Sequence, residues 1–427
     1  MRRRAAKWPR ISTACSALRA APGDIPDNSP SHSRRGDQAV GTAWRPLSVT
    51  LYALTLFTVL NTSAYIGSRV AVSLYAIHLH ATPFNVGMLM SLYGLLPMLF
   101  SVSTGRLSDR VAPRVPMLVG SVLVVIGTAV PFVAPGLAPL HIAATLIGMG
   151  FMLFQVTVQN SVGFIGLPEH RPANFSLVAL GTSVSAFLGP LFAGLAIDWI
   201  GYGFSFIFLA LLPMAAIIAL AANKLVLPRP PSHGRKRNEQ HRVIDLFANG
   251  DVRRVFIITG LQATGWELFT FMMPVYGTSI GLSPSVIGMI MGAFAVATFL
   301  IRMALPYLAR RVTAWRLLNL ALLLSGSCYV LFPLVTHVAL LMGLAFVLGI
   351  GLGSAQPMIM ALLHDAVPEG RTGEAVGVRS TVVTTEQTVM PLLFGVLGST
   401  LGVRAVFWAV ALALVIGSQA AKKRRLR

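Results

Sequence analysis

Apolar stretches of about 20 residues recur along most of this chain, and short polar connections separate them. Typical examples are LSVTLYALTLFTVLNTSAYIG, MLVGSVLVVIGTAVPFVA and FSFIFLALLPMAAIIALAA. A helix needs about 20 apolar residues to cross the hydrocarbon core of a bilayer. Because these stretches leave no polar face for water, the pattern predicts an all-α polytopic membrane protein rather than a soluble one.

Twelve membrane spans fit this pattern, and we number them in chain order. They cover residues 48–77, 84–104, 115–134, 139–160, 173–197, 203–223, 252–277, 285–304, 316–335, 338–362, 375–397 and 402–420. The composition agrees, since 55% of the residues are hydrophobic and the mean hydropathy is +0.72.

The positive charges lie on one side of these spans. Lys and Arg are concentrated before residue 46, between Lys224 and Arg254, and in the final KKRRLR, whereas connections such as HLHATP and GTSIGLSP contain neither. By the positive-inside rule, both termini and the central loop are expected in the cytoplasm of a bacterial-type inner or plasma membrane. This placement explains the net charge of +20 as membrane topology, and we expect no nucleic-acid binding.

The chain also repeats itself at a shift of 201 residues. Identical pairs at this shift include Tyr75 and Tyr276, Pro83 and Pro284, Gly87 and Gly288, Gly148 and Gly349, Pro190 and Pro391, and Gly194 and Gly395. The repeat predicts two six-helix halves related by an axis along the membrane normal, with a binding site between them near the bilayer midplane.

These observations divide the chain into five parts. We predict a disordered basic cytoplasmic tail at 1–46, an N-terminal half at 47–223, a cytoplasmic loop at 224–251, a C-terminal half at 252–420 and a basic tail at 421–427. The first part has no apolar segment, so no secretory signal peptide is expected.

The connection between spans 2 and 3 carries a recognisable motif. It reads TGRLSDRVAPR, and its pattern G-x-L-x-D-R-x-x-x-R resembles motif A of the major facilitator superfamily. The motif positions are filled by Gly105, Leu107, Asp109, Arg110 and Arg114. Together with twelve spans, the duplication and the charged central loop, this resemblance covers nearly the whole chain beyond residue 46.

The resemblance implies alternating access, with motif A as a cytoplasmic latch. Gly105 would let span 2 pack on span 11, and Asp109 would lie near the start of span 11, where the helix end favours a carboxylate. The second copy has Pro306 and Arg310 at the matching positions. We therefore expect the latch carboxylate to come from the N-terminal half only.

Span 5 resembles motif C, the pattern of the family's exporters. Gly189, Pro190 and Gly194 hold motif positions, while Ser176, Ser185 and Ala193 stand where glycine is usual. The resemblance implies drug-type antiport. Ordinary packing of small residues between spanning helices is the alternative.

Polar side chains inside spans need partners in hydrocarbon and so indicate a solute path. By the resemblance, spans 1, 4, 7 and 10 surround the central cavity, and the polar positions fall on these spans. The predicted path residues are Asn61, Tyr65, Arg69, Gln155, Gln159, Gln262, Trp266 and Gln356. Hydrogen bonds that only join helices are the alternative for each glutamine.

Two carboxyl groups lie near mid-membrane, Glu267 in span 7 and Glu386 in span 11. A charge at that depth costs about 2.5–3.5 kcal/mol, so we predict that Glu267 is the proton carrier and Glu386 the second candidate. Arg69 is expected to pair with ionised Glu267. Arg302 and Arg379 lie nearer the cytoplasmic ends of their spans and are expected to reach the lipid headgroups.

The sequence therefore predicts a secondary active transporter that exports a small organic solute in exchange for protons. Two alternatives remain: proton-linked uptake or uniport of an organic anion that binds Arg69, and a non-transporting sensor or scaffold on the same fold. No phosphate-binding loop or Cys/His metal spacing is present, so we expect no enzyme activity and no cofactor or metal. The expected partners are the bilayer, the solute and protons, and we expect a monomer.

Overall fold

The computed structural model of the chain describes residues 33–165, 171–222, 227, 249–308, 311–367 and 372–422. Several helical residues are described by their backbone only, namely 33–48, 101–102, 105–106, 108–110, 171–173, 306, 372–374 and 420–422. Most of the predicted N-terminal tail, the central loop and the C-terminal tail lie outside the described residues.

The described residues form long helices. Their bounds are Ser33–His78, Pro83–Arg110, Arg114–Val133, Leu137–Val162, Arg171–Ala221, Gly250–Ser279, Pro284–Leu308, Ala314–Leu331, Val338–Ala366, Thr372–Thr400 and Val403–Lys422, and a short 3-10 helix covers Phe332–Leu334. The described residues from 46 onward form one compact unit, and the described residues 33–45, outside that unit, are helical.

These helices supply the twelve predicted spans. Arg171–Ala221 contains spans 5 and 6, because Gly201 (φ 80°) interrupts it. In the described part of the chain, nine helices are long and apolar enough to cross a membrane, and Val403–Gln419 is a shorter apolar helix. Span 11 is more polar, since Arg379 and Glu386 lie within it. The chain is thus an all-α polytopic membrane protein of two six-helix halves.

The duplication is visible in the backbone. Gly201, after span 5, and Gly402, after span 11, both have a positive φ, and they differ by the repeat shift of 201 residues. His80 (φ 60°) and Gly281 (φ 79°) form a second such pair, after spans 1 and 7. The two halves therefore turn in the same way at matching positions, although His80 must adopt a conformation that glycine tolerates better.

Matching glycines also allow matching helix contacts inside each half. A Cβ atom on Gly148 of span 4 would collide with the backbone carbonyl of Tyr93 in span 2. A Cβ atom on Gly349 of span 10 would collide in the same way with the carbonyl of Phe294 in span 8. The two pairs are related by the repeat shift, so the same close approach of two helix backbones occurs in both halves.

The two halves contact each other through span 2 on span 11 and span 5 on span 8. Four glycines at the predicted outer ends of these spans lie against backbone of the opposite half, and we call them the outer seal: Gly87, Gly194, Gly288 and Gly395. A Cβ on Gly288 would lie 2.5 Å from the carbonyl oxygen of Pro190, and one on Gly395 would lie 2.7 Å from that of Pro83. The halves are therefore tightly closed against each other at this level.

Candidate functional site

Span 1 and span 7 meet at a buried ion pair between the two halves. Nη2 of Arg69 donates to Oε2 of Glu267 at 2.9 Å. The side chains are only 14% and 3% exposed. A charge at this depth is costly unless it is compensated, and each group here compensates the other. The pairing anticipated from the matching helices is thus present in the structure.

Aromatic rings surround the Arg69 side of this pair. The ring of Tyr65, one turn earlier on span 1, stacks on Phe151 of span 4 at a centroid distance of 4.0 Å. It also meets Tyr93 of span 2 edge to face at 5.7 Å. Tyr93 is fixed in turn, since its hydroxyl donates to Oγ of Ser68 at 3.2 Å. This packing holds span 1 against spans 2 and 4 and limits the positions that Arg69 can reach.

A cavity of about 330 Å³ opens beside the ion pair, between the two halves. Its walls come from spans 1, 5, 7, 8, 10 and 11. Predicted path residues in the wall are Tyr65, Arg69, Trp266 and Gln356, and Glu267 lines it as well. Such a volume, with an aromatic wall and a few polar groups, is typical of small-molecule sites.

A second cavity of about 190 Å³ adjoins the first on the side of span 11. Trp266, Glu267, Gln356 and Gln387 line both cavities, so the two spaces share a wall. The predicted path residue Gln262 lines the second cavity only. Glu267 is therefore placed where both spaces meet, and its charge affects whatever occupies either one.

The expectation for Arg302 and Arg379 was wrong. Arg302 lines the larger cavity and its Nη2 donates to Oε1 of Gln356 at 2.8 Å, while Arg379 lines the smaller cavity. Their positions along spans 8 and 11 indicated depth, but depth does not tell which way a side chain faces. The helices extend beyond the predicted spans 285–304 and 375–397, to Leu308 and from Thr372, so each arginine lies six or seven residues inside its helix end.

A family model matches this chain over almost all of its predicted spans. The model is that of the Major Facilitator Superfamily, and it matches residues 51–254 and 255–421, one segment for each half. The chain belongs to the Major Facilitator Superfamily. Among curated proteins, no sequence matches it.

Solved structures show the same superfamily fold. A bacterial homolog of the human lysosomal transporter Spinster, inward-facing and unoccupied, has 14% identity and a TM-score of 0.73, with 88% of this chain and 96% of that chain covered. A POT family transporter in complex with a thioalcohol-conjugated peptide has 16% identity and a TM-score of 0.73, covering 86% and 94%. The nucleoside transporter NupG has 11% identity and a TM-score of 0.73, covering 88% and 99%.

Three predicted path residues of this superfamily member lie away from both cavities. Asn61 is fully buried in span 1, where its Nδ2 donates to the carbonyl of Phe57 at 3.1 Å. Gln155 and Gln159 of span 4 are absent from the residues that line the two cavities, and Gln159 is exposed. Spacing by four suggested that each of these residues shares a helix face with other polar residues, but it could not show whether that face lines a cavity.

Glu386, the second predicted proton carrier, is also outside the cavity walls. Its Oε2 accepts a hydrogen bond from the hydroxyl of Thr264 in span 7 at 2.9 Å. Both residues belong to the C-terminal half, so this bond joins helices within one half. Glu386 therefore has a neutral partner in its own half, whereas Glu267 is paired with a cation of the opposite half.

Motif A is described only in part. The helix of span 2 extends through the motif to Arg110, Leu107 is 45% exposed, and Arg114 begins the helix of span 3. The side chains of Asp109 and Arg110, and the surroundings of Gly105, lie outside the described residues. The cytoplasmic latch therefore stays a prediction.

Motif C lies at two helix contacts. A Cβ on Gly189 would lie 3.0 Å from the backbone nitrogen of Gly67 in span 1. The next residue, Pro190, and Gly194 one turn further on face span 8 across the outer seal. Asp198 follows them, and its Oδ2 accepts the backbone N–H of Ser285 at 2.8 Å, near the start of span 8. Span 5 thus joins its own half and the opposite half through the same motif.

The described residues contain no group of three or more His, Cys, Asp or Glu side chains that could hold a metal ion. What the site offers is a buried pair of opposite charges next to a cavity of solute size.

Proposed function

We propose that this superfamily member is a proton-coupled secondary active transporter that exports a small organic solute by alternating access. The supporting observation is the Arg69–Glu267 pair, which joins the two halves at the wall of the central cavity. Family membership accounts for secondary transport. The coupling ion and the direction are what we add.

The ion pair is strong enough for this role. Removing one partner of a buried pair costs about 3–5 kcal/mol, whereas coupling between two ligands typically needs only about 1–3 kcal/mol. Protonation of Glu267 removes its charge and so removes most of the attraction to Arg69. A proton bound there therefore changes both the charge of the cavity and the contact between the halves.

Export follows if the solute and the proton favour different states of the cavity. The solute binds beside the intact ion pair, while the outer seal is closed. Opening of the outer seal releases the solute, and a proton from outside then neutralises Glu267 and drives the return. Motif C in span 5, a pattern of the family's exporters, supports this direction. The membrane is proposed to be a bacterial-type inner or plasma membrane with both termini in the cytoplasm.

The test begins with a knockout strain, screened for retention of compounds from a metabolite and drug panel. Retained compounds are then measured in proteoliposomes with the purified protein and an imposed pH gradient. We expect accumulation against the solute gradient, loss of that accumulation with a protonophore, and proton movement on solute addition. Equilibration without accumulation would indicate uniport, accumulation with the opposite proton direction would indicate uptake, and no flux would favour a sensor.

A further inference from the structure

Two arginines of the C-terminal half line the cavities without an acidic partner among the described residues. Arg302 has one hydrogen bond, to Gln356, and Arg379 has neither a hydrogen bond nor an ion pair in the described part of the chain. The Nε atoms of both guanidinium groups are buried and have no hydrogen-bond partner. Donors in such a position are costly to leave unpaired.

The charge balance of the cavities is therefore positive. Arg69 and Glu267 neutralise each other, and Glu386 lies outside the walls with Thr264 as its partner. Among the described side chains, Arg302 and Arg379 remain as cations without a carboxylate partner, at about the same depth on the predicted cytoplasmic side. An ionisable residue inside a membrane span usually has a ligand or a partner that accounts for its cost.

The duplicated framework has no cation at the positions that match the two arginines. At the matching positions of the N-terminal half, the chain has Ser101 and Val178. Gln356, in contrast, is matched by Gln155. The two positive charges are therefore present in the C-terminal half only, while the glutamine beside them occurs in both halves.

We propose that Arg302 and Arg379 bind the carboxylate or phosphate group of the transported solute. This assignment rests on the proposed transport function and names its solute class as an organic anion. Guanidinium groups donate in a planar fork that fits both acidic groups. The amide of Gln356, whose oxygen accepts from Arg302, positions that fork at the shared wall of the two cavities.

The larger cavity also specifies the remainder of the solute. Tyr65, Trp266 and Phe294 line it, and the rings of Trp266 and Phe294 meet edge to face at 4.9 Å. A volume of about 330 Å³ accepts a body of two fused rings. The structure therefore fits an amphiphilic anion, with an apolar or aromatic body at the aromatic wall and its acidic end at the two arginines.

The experiment compares 2-naphthoate and 2-naphthyl phosphate with neutral 2-naphthamide by calorimetry, using the full chain in phosphatidylcholine nanodiscs. We expect both anions to bind at least tenfold more tightly than the amide. Arg302→Gln and Arg379→Gln should each remove about tenfold of the anion affinity and leave the amide within twofold. Lysine at either position should retain part of the preference, which separates lost charge from misfolding. Arg316→Gln, at an exposed arginine of span 9, is the matched control.

Three outcomes would overturn the assignment: no binding of either anion, equal binding of anion and amide, or a preference that survives the double variant Arg302→Gln/Arg379→Gln. Nanodiscs with phosphatidylglycerol, whose headgroup is anionic whereas that of phosphatidylcholine is zwitterionic, test whether an anionic lipid headgroup occupies the arginines. A tenfold loss of anion affinity there would assign the site to lipid rather than solute. Glu267→Gln should keep the anion preference. Transport by the unmodified protein that shows no proton coupling would refute the proposed function but not this binding site.

Discussion

A single methyl group at the outer seal should shift the transporter towards its outward-open state. In Gly288→Ala, the new Cβ would lie 2.5 Å from the carbonyl oxygen of Pro190. Ordinary contact begins at 3.4 Å, so spans 5 and 8 must separate there by roughly 0.9 Å. Both atoms belong to helix backbone or are fixed to it, and no side-chain rotation relieves the contact.

The size of the effect follows from the cost of overpacking. Extra methyl groups in a packed interior cost about 1–3 kcal/mol. Because the halves separate at the outer seal in the outward-open state, this cost falls mainly on the closed form. The ratio of outward-open to closed protein should therefore rise roughly 5- to 150-fold.

Accessibility of the cavity from outside measures this ratio. The reporter is Ser183→Cys, at a position that lines the larger cavity, in a chain whose native Cys15 and Cys328 are replaced. A membrane-impermeant maleimide is applied to intact cells, and the rate of labelling is compared with and without Gly288→Ala. We expect faster labelling in proportion to the shift.

The matched control is Gly343→Ala in span 10, where an added Cβ would meet nothing within 4 Å. This variant should label at the rate of the parent. Equal rates for Gly288→Ala and Gly343→Ala would show that the close approach at the outer seal does not limit opening, and the reasoning would fail.

Three further predictions concern the charged groups around the gates and the cavity. Asp198→Asn removes a carboxylate at the N-terminus of span 8, worth about 0.3–1 kcal/mol, so outside labelling should rise by a few-fold; a slower rate would contradict this. Asp109→Asn should leave membrane insertion intact, slow transport and favour the inward-open state, as measured by cysteine labelling from both sides; unchanged labelling and flux would remove the latch role. Arg69→Gln should destabilise the protein by about 3–5 kcal/mol, as measured by thermal unfolding in detergent. The double variant Arg69→Gln/Glu267→Gln should recover part of this loss. If the losses of the two single variants simply add, the two side chains do not stabilise each other.

The helices could be predicted from the sequence because the bilayer imposes one strong rule on every span. Hydropathy placed most helix ends within a few residues, and the turns at Gly201 and Gly402 are spaced by the same 201 residues as the sequence repeat. Span 1 was less accurate, since its helix begins at Ser33 rather than near residue 48. Polarity marks where a chain leaves the hydrocarbon, but a helix can continue beyond that point.

The candidate site was only partly predictable, because its residues depend on the rotation of each helix. Arg69 and Glu267 stood out as deep charges on matching spans, and the structure pairs them. Arg302 and Arg379 were assigned to the headgroups because long side chains near helix ends usually reach them. Span 8 is apolar almost all round, and span 11 has polar residues on several sides, so neither sequence shows a single polar face from which the rotation could be read.

The most direct test of the account is the effect of Glu267→Gln on two kinds of transport in the same proteoliposomes. Glutamine keeps the shape of the side chain but cannot carry the proton. The account predicts loss of accumulation driven by a pH gradient, with exchange of solute down its own gradient preserved; Glu386→Gln should leave the gradient-driven accumulation intact. Full gradient-driven accumulation by Glu267→Gln would contradict the central claim, and its loss in Glu386→Gln instead would transfer the proton-carrying role to that residue.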